Sequence, residues 1–286
     1  LTASGGTSYV WSGAGIATPN QQNQTLSASA AGSFTYVVTV TDANGCSSTT
    51  STTVTINAPP IASANNNSPT CLGGTVNLTA SGGTSYVWSG AGIATHNQQN
   101  QTLTPSTAGS FTYVVTVTDA NGCSSTASTT VAVNTPPSAS ANNNSPTCLG
   151  GVVNLTASGG TSYVWSGAGI TNPNQQNQTL TASAAGSFTY VVTVTDANGC
   201  STTASTTITV NAPPSAAANN NSPTCLGGTI NLTASGGTSY VWSGAGMTTP
   251  NQQNQTLTPS TAGSFIYVVT VTDANGCSST ASTTVT

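Results

Sequence analysis

The segment LTASGGTSYVWSG begins at Leu1, Leu78, Leu155 and Leu232, a spacing of 77 residues each time. A fixed period of this kind constrains the fold more than any local feature, because each period must be the same structural unit. Residues 78–154 and 155–231 differ at only 12 of 77 positions, mostly by exchanges among Ala, Thr, Ser, Val and Ile. Near-identity implies that every copy has the same job. Seventy-seven residues is too long for the usual solenoid repeats and fits a small domain, so the chain reads as beads on a string. The joints fall at Asn57–Pro60, Asn134–Pro137 and Asn211–Pro214, where paired prolines favour a stiff, extended connection. Cut there, the chain gives a partial repeat 1–57, two repeats 58–134 and 135–211, and a nearly complete repeat 212–286. It reads as an internal piece of something longer, since Leu1–Gly6 lacks the basic start and apolar stretch of a signal peptide.

Within residues 58–134 the apolar periodicity is two throughout, with no helical spacing. Thr75–Ala80 alternates Val76 and Leu78 against polar neighbours, and after the turn Gly82-Gly83 the next strand puts Tyr86 and Trp88 on one face. Residues 90–101 read as irregular connection or a short edge strand. Phe111, Tyr113, Val115 and Val117 alternate along the next strand, Asp119–Gly122 turns the chain, and a Thr-rich strand follows at Ser128–Val133. The Asn-Gly pair tolerates the left-handed backbone that tight hairpins demand. Short strands with turn signals between them predict an all-β fold of tandem antiparallel β-sandwiches.

Composition then removes functions. Charged residues are 1% of the chain, with no Lys or Arg, four Asp and one His, for a formal charge of −4. Phosphate and anionic headgroups are bound through Lys and Arg, so nucleic acid is not an expected partner, nor is a membrane surface. No run of about 20 apolar residues is present, so no membrane insertion is expected. General acid–base chemistry needs a His or carboxylate beside groups that tune it. Isolated Asp42, Asp119, Asp196 and Asp273 with His96 do not supply that, so the reading is not an enzyme, with no cofactor. At 36% hydrophobic residues and with recurring Trp, Tyr and Phe, the chain nonetheless has material for a core, unlike a disordered linker.

The seven cysteines sit at two phases of the repeat. Cys71, Cys148 and Cys225 follow Ser-Pro-Thr; Cys46, Cys123, Cys200 and Cys277 follow Asn-Gly. Pairing within each repeat would join Cys71 with Cys123, Cys148 with Cys200 and Cys225 with Cys277, leaving Cys46 a partner outside the chain. A sandwich that sets the two phases at opposite ends would instead favour bonds between successive repeats or between chains, and free thiols are the third reading. Paired cysteines at this density imply an oxidising, extracellular setting.

Other candidates have plain structural readings. Asp-Ala-Asn-Gly is reminiscent of part of a calcium loop, but one carboxylate per repeat is thin, and Asp bonding to its own turn backbone explains it. His96 replaces the proline found at Pro19, Pro173 and Pro250, a surface substitution with no zinc-ligand spacing. Asn23, Asn66 and Asn77 begin glycosylation acceptor triplets, as chance alone produces in so Asn-, Ser- and Thr-rich a chain. A once-per-repeat tryptophan in an alternating strand is a core anchor before it is a sugar platform.

The surface carries the remaining signal. Val87 and Val114 fall on the face opposite Trp88 and Val115, where a solitary soluble domain would carry charge, and no Lys or Glu guards the strand edges. Neutral Thr, Asn and Gln faces pack without burying charge. This face is the candidate for lateral self-association of identical chains in a parallel homo-oligomeric bundle.

The motifs CLGGTVNLTASGGTSYVWSG and GSFTYVVTVTDANGCSST resemble the immunoglobulin-like and PKD-like tandem repeats of giant surface proteins of gliding Bacteroidota. The resemblance covers every repeat, and the grappling-hook filament proteins are the nearest in kind. It implies export by the type IX secretion system and a place in a cell-surface filament or adhesin used in gliding, attachment or prey capture. It also implies contact with other cells' surface structures at a tip outside this stretch. The absence of Lys and Arg and the near-identity of the copies depart from the family and point to a stalk more than to a varied adhesive tip.

Overall fold

A computed structural model describes all 286 residues, Leu1–Thr286. Its regular structure is strand alone. Repeat 58–134 folds as two sheets. One has Val76–Ser81 at its centre with Ser63–Asn66 and Asn100–Leu103 on either side; the other runs in the order Thr70–Cys71, Ser124–Asn134, Gly109–Thr118, Ser85–Ser89. All pairings are antiparallel except that of Thr70–Cys71 with Val133–Asn134. The chain is thus built of antiparallel immunoglobulin-like β-sandwiches.

Alternation explains why these residues make these sheets. Val76, Leu78 and Ala80 are buried while Asn77, Thr79 and Ser81 are exposed, so one strand supplies one wall of the core. Tyr113, Val115 and Val117 supply the other wall, with Trp88 directly opposite Val115 in the ladder. Trp88 is fully buried, and its Nε1 donates to the Gln99 carbonyl at 3.1 Å, which satisfies the one polar atom the indole brings inside. The chain leaves the tryptophan strand at Gly90, where φ is +148° and a Cβ would run into the Tyr113 ring. Only glycine fits there.

Two compact units divide the chain, Leu1–Thr135 and Pro136–Thr286. Each of the four hydrophobic clusters draws on a single repeat, and the clusters in 135–211 and 212–286 use most of the positions of the one in 58–134, with Ala182 added in the former where 58–134 has Pro105. Residues 1–57 form one three-stranded sheet, Ser8–Ser12, Gly32–Thr41 and Ser47–Ile56.

Two sequence expectations change in detail. The last strand begins at Ser124 rather than Ser128, because Ser and Thr hydroxyls line its outer face without interrupting the ladder. The hairpin before it is not an Asn-Gly turn with both residues left-handed. Only Gly122 has positive φ, +83°, because Asp119 Oδ1 accepts from the backbone N–H of both Asn121 and Cys123, each at 2.9 Å, and shapes a wider turn.

Candidate inter-repeat joint and exposed sheet face

The short parallel pairing fixes where the Ser-Pro-Thr cysteines lie. In 135–211, Cys148 is in register with Asn211, the last residue of its strand, and Leu149 N–H donates to the Asn211 carbonyl at 3.0 Å. Cys148 therefore stands where the chain leaves for Ala212-Pro213-Pro214. On the far side of the prolines, Ser279 Oγ donates to the Pro214 carbonyl, which holds the hairpin Asp273–Cys277 against the joint. Cys148 and Cys277 are bonded, with Cα atoms 5.5 Å apart and 129 residues between them in sequence. Repeat 135–211 is covalently tied to repeat 212–286.

This corrects the within-repeat pairing of Cys148 with Cys200 and Cys225 with Cys277. Cys71 with Cys123 fails as well, since Cys71 is disulfide-bonded and Cys123 is free. The physical reason is strand length. Cys71 is level with Asn134, whereas Cys123 precedes Ser124 at the other end of the same 11-residue strand. At ~3.3 Å per residue the two lie about 35 Å apart, against the 4.4–6.8 Å that a disulfide spans. Cys200 is buried and disulfide-bonded, and Cys46, Cys123 and Cys225 are free. The hairpin cysteine faces the joint in the first unit too. Cys123 Sγ lies 3.9 Å from the Asn57 carbonyl and Ser125 Oγ donates to that of Pro60.

The proposed association face is a real surface. Val87 is 49% exposed and pairs with Thr116 across the ladder; Val114, half-buried, lies two positions along the same strand as Thr116. Around them the outward positions are Thr112, Thr118, Ser124, Thr126, Ser128 and Thr130, so the face is uncharged from edge to edge. Val10, Val164 and Val241 repeat the exposure of Val87 at 51%, 49% and 49%.

The other candidates resolve into structure. Each Asp carboxylate accepts from its own turn. No three His, Cys, Asp or Glu side chains gather as metal ligands would. His96 keeps the role of the prolines it replaces, its carbonyl accepting from Trp88 N–H at 2.9 Å, and its ring Nδ1 lies 2.8 Å from the Trp88 carbonyl. Asn66 Nδ2 is committed to Thr129 Oγ1 and the Thr130 carbonyl, so glycosylation there would cost the link between the two sheets. Two features escaped the sequence reading. Gln101 is buried, its Nε2 donating to the carbonyls of Thr95 and Gln98 and so shaping the 90–99 loop. A shallow cleft of about 100–150 Å³ also recurs in every repeat; in 58–134 it lies between Ala91-Gly92 and Thr104–Ser106 over Phe111 and Tyr113. The recurrence of glutamine and aromatic positions at 77 residues was the available signal for both.

Sandwich repeats with a covalent joint define the class of protein, and comparison with known proteins adds the following. No family model matches the chain. The Dyslexia-associated protein KIAA0319-like protein of Mus musculus is 28% identical over 310 residues, covering 89% of this chain but 30% of that protein. The chain thus spans about a third of that relative's length. Among solved structures, the Ca2+-stabilised adhesin with which an Antarctic bacterium binds ice aligns over 100% of this chain and 92% of its own, at 18% identity and a TM-score of 0.38. A 1.5-MDa bacterial ice-binding adhesin aligns over 81% and 98%, at 16% identity and a TM-score of 0.33. Protocadherin gammaB7 repeats EC3-6 align over 98% and 95%, at 14% identity and a TM-score of 0.29.

Proposed function

We propose that the chain is a shaft segment of a long extracellular, multi-chain cell-surface filament serving attachment, gliding or prey capture. The observation that carries this reading is the Cys148–Cys277 bond between successive, nearly identical sandwiches. A bond across a joint does nothing for either core; it limits how one repeat swings on the next, which is what a load-bearing shaft needs. Such bonds persist in oxidising, extracellular settings. The uncharged outer face supports lateral packing of parallel chains, since burying it leaves no charge to desolvate. Export by a type IX system from a gliding bacterium belongs to the same proposal and rests on the motif resemblance alone.

Sedimentation of the purified chain over a range of concentrations tests the lateral part. A defined oligomer is expected, unaltered between low salt and 1 M NaCl because there is almost no charge to screen. Placing Asp at Val10, Val87, Val164 and Val241 together is expected to return it to monomer. A wild-type chain that stays monomeric at every concentration overturns the multi-chain reading.

A second reading, a multivalent module binding neutral glycans or another cell's surface, draws on the cleft that recurs over Phe111 and Tyr113. Repetition would raise its avidity. A glycan array separates the two: saturable binding favours the module, and its absence favours the shaft.

A further inference from the structure

The pair Asn-Gly recurs at the tip of every long hairpin, at Asn44-Gly45, Asn121-Gly122, Asn198-Gly199 and Asn275-Gly276. In an open chain this pair is chemically fragile. The glycine has no side chain to shield its amide nitrogen, which loses its proton, attacks the asparagine Cγ and closes a five-membered succinimide, while the side-chain nitrogen leaves as ammonia. Water then opens the ring to aspartate or isoaspartate. Asparagine counts among the thermolabile residues for this reason. All four asparagines and the glycines after them are exposed, so water reaches each pair. We propose that the four Asn-Gly pairs are latent modification sites, held closed against spontaneous deamidation by the aspartate two residues before each asparagine.

Three successive backbone N–H groups converge on that aspartate. In 58–134, Asn121 and Cys123 donate to Asp119 Oδ1, each at 2.9 Å, and between them Gly122 donates to the Asp119 carbonyl at 3.2 Å. The other repeats copy the arrangement. Gly45, Gly199 and Gly276 donate to the carbonyls of Asp42, Asp196 and Asp273 at 3.1, 3.2 and 3.1 Å, and the N–H groups on either side reach Oδ1 of the same aspartates at 2.8–2.9 Å.

Two barriers stand before the attacking nitrogen. Its proton is already shared with the Asp119 carbonyl, and an amide anion at Gly122 would form beside the Asp119 carboxylate, a like charge. The nitrogen must also swing toward the Asn121 side chain. Only glycines have positive φ, so the bond from Gly122 to Asp119 closes a type I turn with Asn121 as its third residue, where ψ is about 0°. Closing the ring turns that angle well away and breaks the turn bond. Conversion therefore waits on local opening of the hairpin, and its rate follows the fraction of time the turn is open. The consequence is large for this chain. Conversion of all four pairs would double the formal charge of −4, and each isoaspartate would add a backbone atom to a hairpin. In 212–286 that hairpin leads directly into Cys277, buried in its bond to Cys148. Each turn acts alone, so the inference needs neither lateral packing nor the shaft reading.

The test holds the whole chain in mildly alkaline buffer, either folded or in guanidinium with reductant, and follows the mass gain at each asparagine by peptide fragmentation. Asn121 in the folded chain is expected to convert at least about tenfold more slowly than in the denatured chain, and Asn44, Asn198 and Asn275 likewise. Asp119→Ala is expected to speed conversion at Asn121 several-fold, with the other three turns of the same molecule unchanged as internal standards. If that substitution unfolds its repeat, Asn121 reaches the denatured rate; Asp119→Asn, which keeps a neutral acceptor, is then expected to give a rate between native and denatured. Folded and denatured rates that agree within about twofold overturn the proposal. So does an Asp119→Ala chain in which Asn121 converts no faster than the other three.

Discussion

One side chain in each repeat settles the hairpin. Asp119 Oδ1 takes two backbone N–H groups, and a charged acceptor of this kind contributes more than a neutral one. Asp119→Ala is expected to cost about 1–2 kcal/mol locally, read as roughly tenfold faster amide exchange at Asn121 and Cys123, while Asp119→Asn keeps a neutral Oδ1 acceptor and is expected to exchange at a rate between the two. With Asp119 Oδ1 engaged by its own turn and a single carboxylate in each repeat, adding calcium or a chelator is expected to leave the melting temperature unchanged; a shift of several degrees would restore the calcium-loop reading. A second effect belongs to the tyrosines. Burial raises Tyr113 and Tyr190 above their ordinary value of 10.0, with each hydroxyl donating to a backbone carbonyl, that of Ala91 or Ala168. A raised folded value means that the unfolded chain releases its protons first. Their contribution is complete below pH 10 and is lost as pH rises through the folded value. Denaturant titrations should therefore show stability falling only in strongly alkaline solution. The Asp turn was legible in the sequence because its chemistry spans five residues. The tyrosine partners were not, because they lie 22 residues away.

At the level of the element, alternation made Val76–Ser81 and Gly109–Thr118 readable, since one face of each is continuously apolar. Thr70–Cys71 was invisible to the same reasoning. It is two residues long and pairs in parallel with Val133–Asn134, some sixty residues later, so no local period marks it. That one short strand decides where the Ser-Pro-Thr cysteines lie, which is why the cysteine phases were legible and their pairing was left open. The buried glutamines are the other element-scale surprise. An amide inside a small core reads as an error in a pattern of period two, yet Gln101 closes the loop over the tryptophan by capping two carbonyls. Gln101→Leu would fill similar space and strand both carbonyls, at an expected cost of about 1–3 kcal/mol. The check is the urea midpoint of the repeat, together with faster exchange of the Trp88 amide, which donates to His96 within that loop.

Across the whole chain, the repeat period and the missing charge were both plain in the sequence. Folding adds the covalent joint. Each core is assembled from its own repeat, so the Cys148–Cys277 bond is not needed to make either sandwich. Its two ends are nonetheless 129 residues apart. In the chain-entropy account a cross-link over so long a loop stabilises by up to about 4–5 kcal/mol, when both repeats unfold together. Two consequences separate the roles. Cys277→Ser, or mild reduction, is expected to leave the fluorescence of Trp165 and Trp242 unchanged while lowering the denaturant midpoint of the two repeats. Fluorophores on exposed Ser166 and Ser243 are expected to report a broader spread of distances across the Pro213-Pro214 joint. If neither the midpoint nor the distance spread changes on reduction, the bond carries no load and the prolines alone hold the joint. If the tryptophan signal collapses, the bond belongs to folding rather than to stiffness, and the shaft loses its central support.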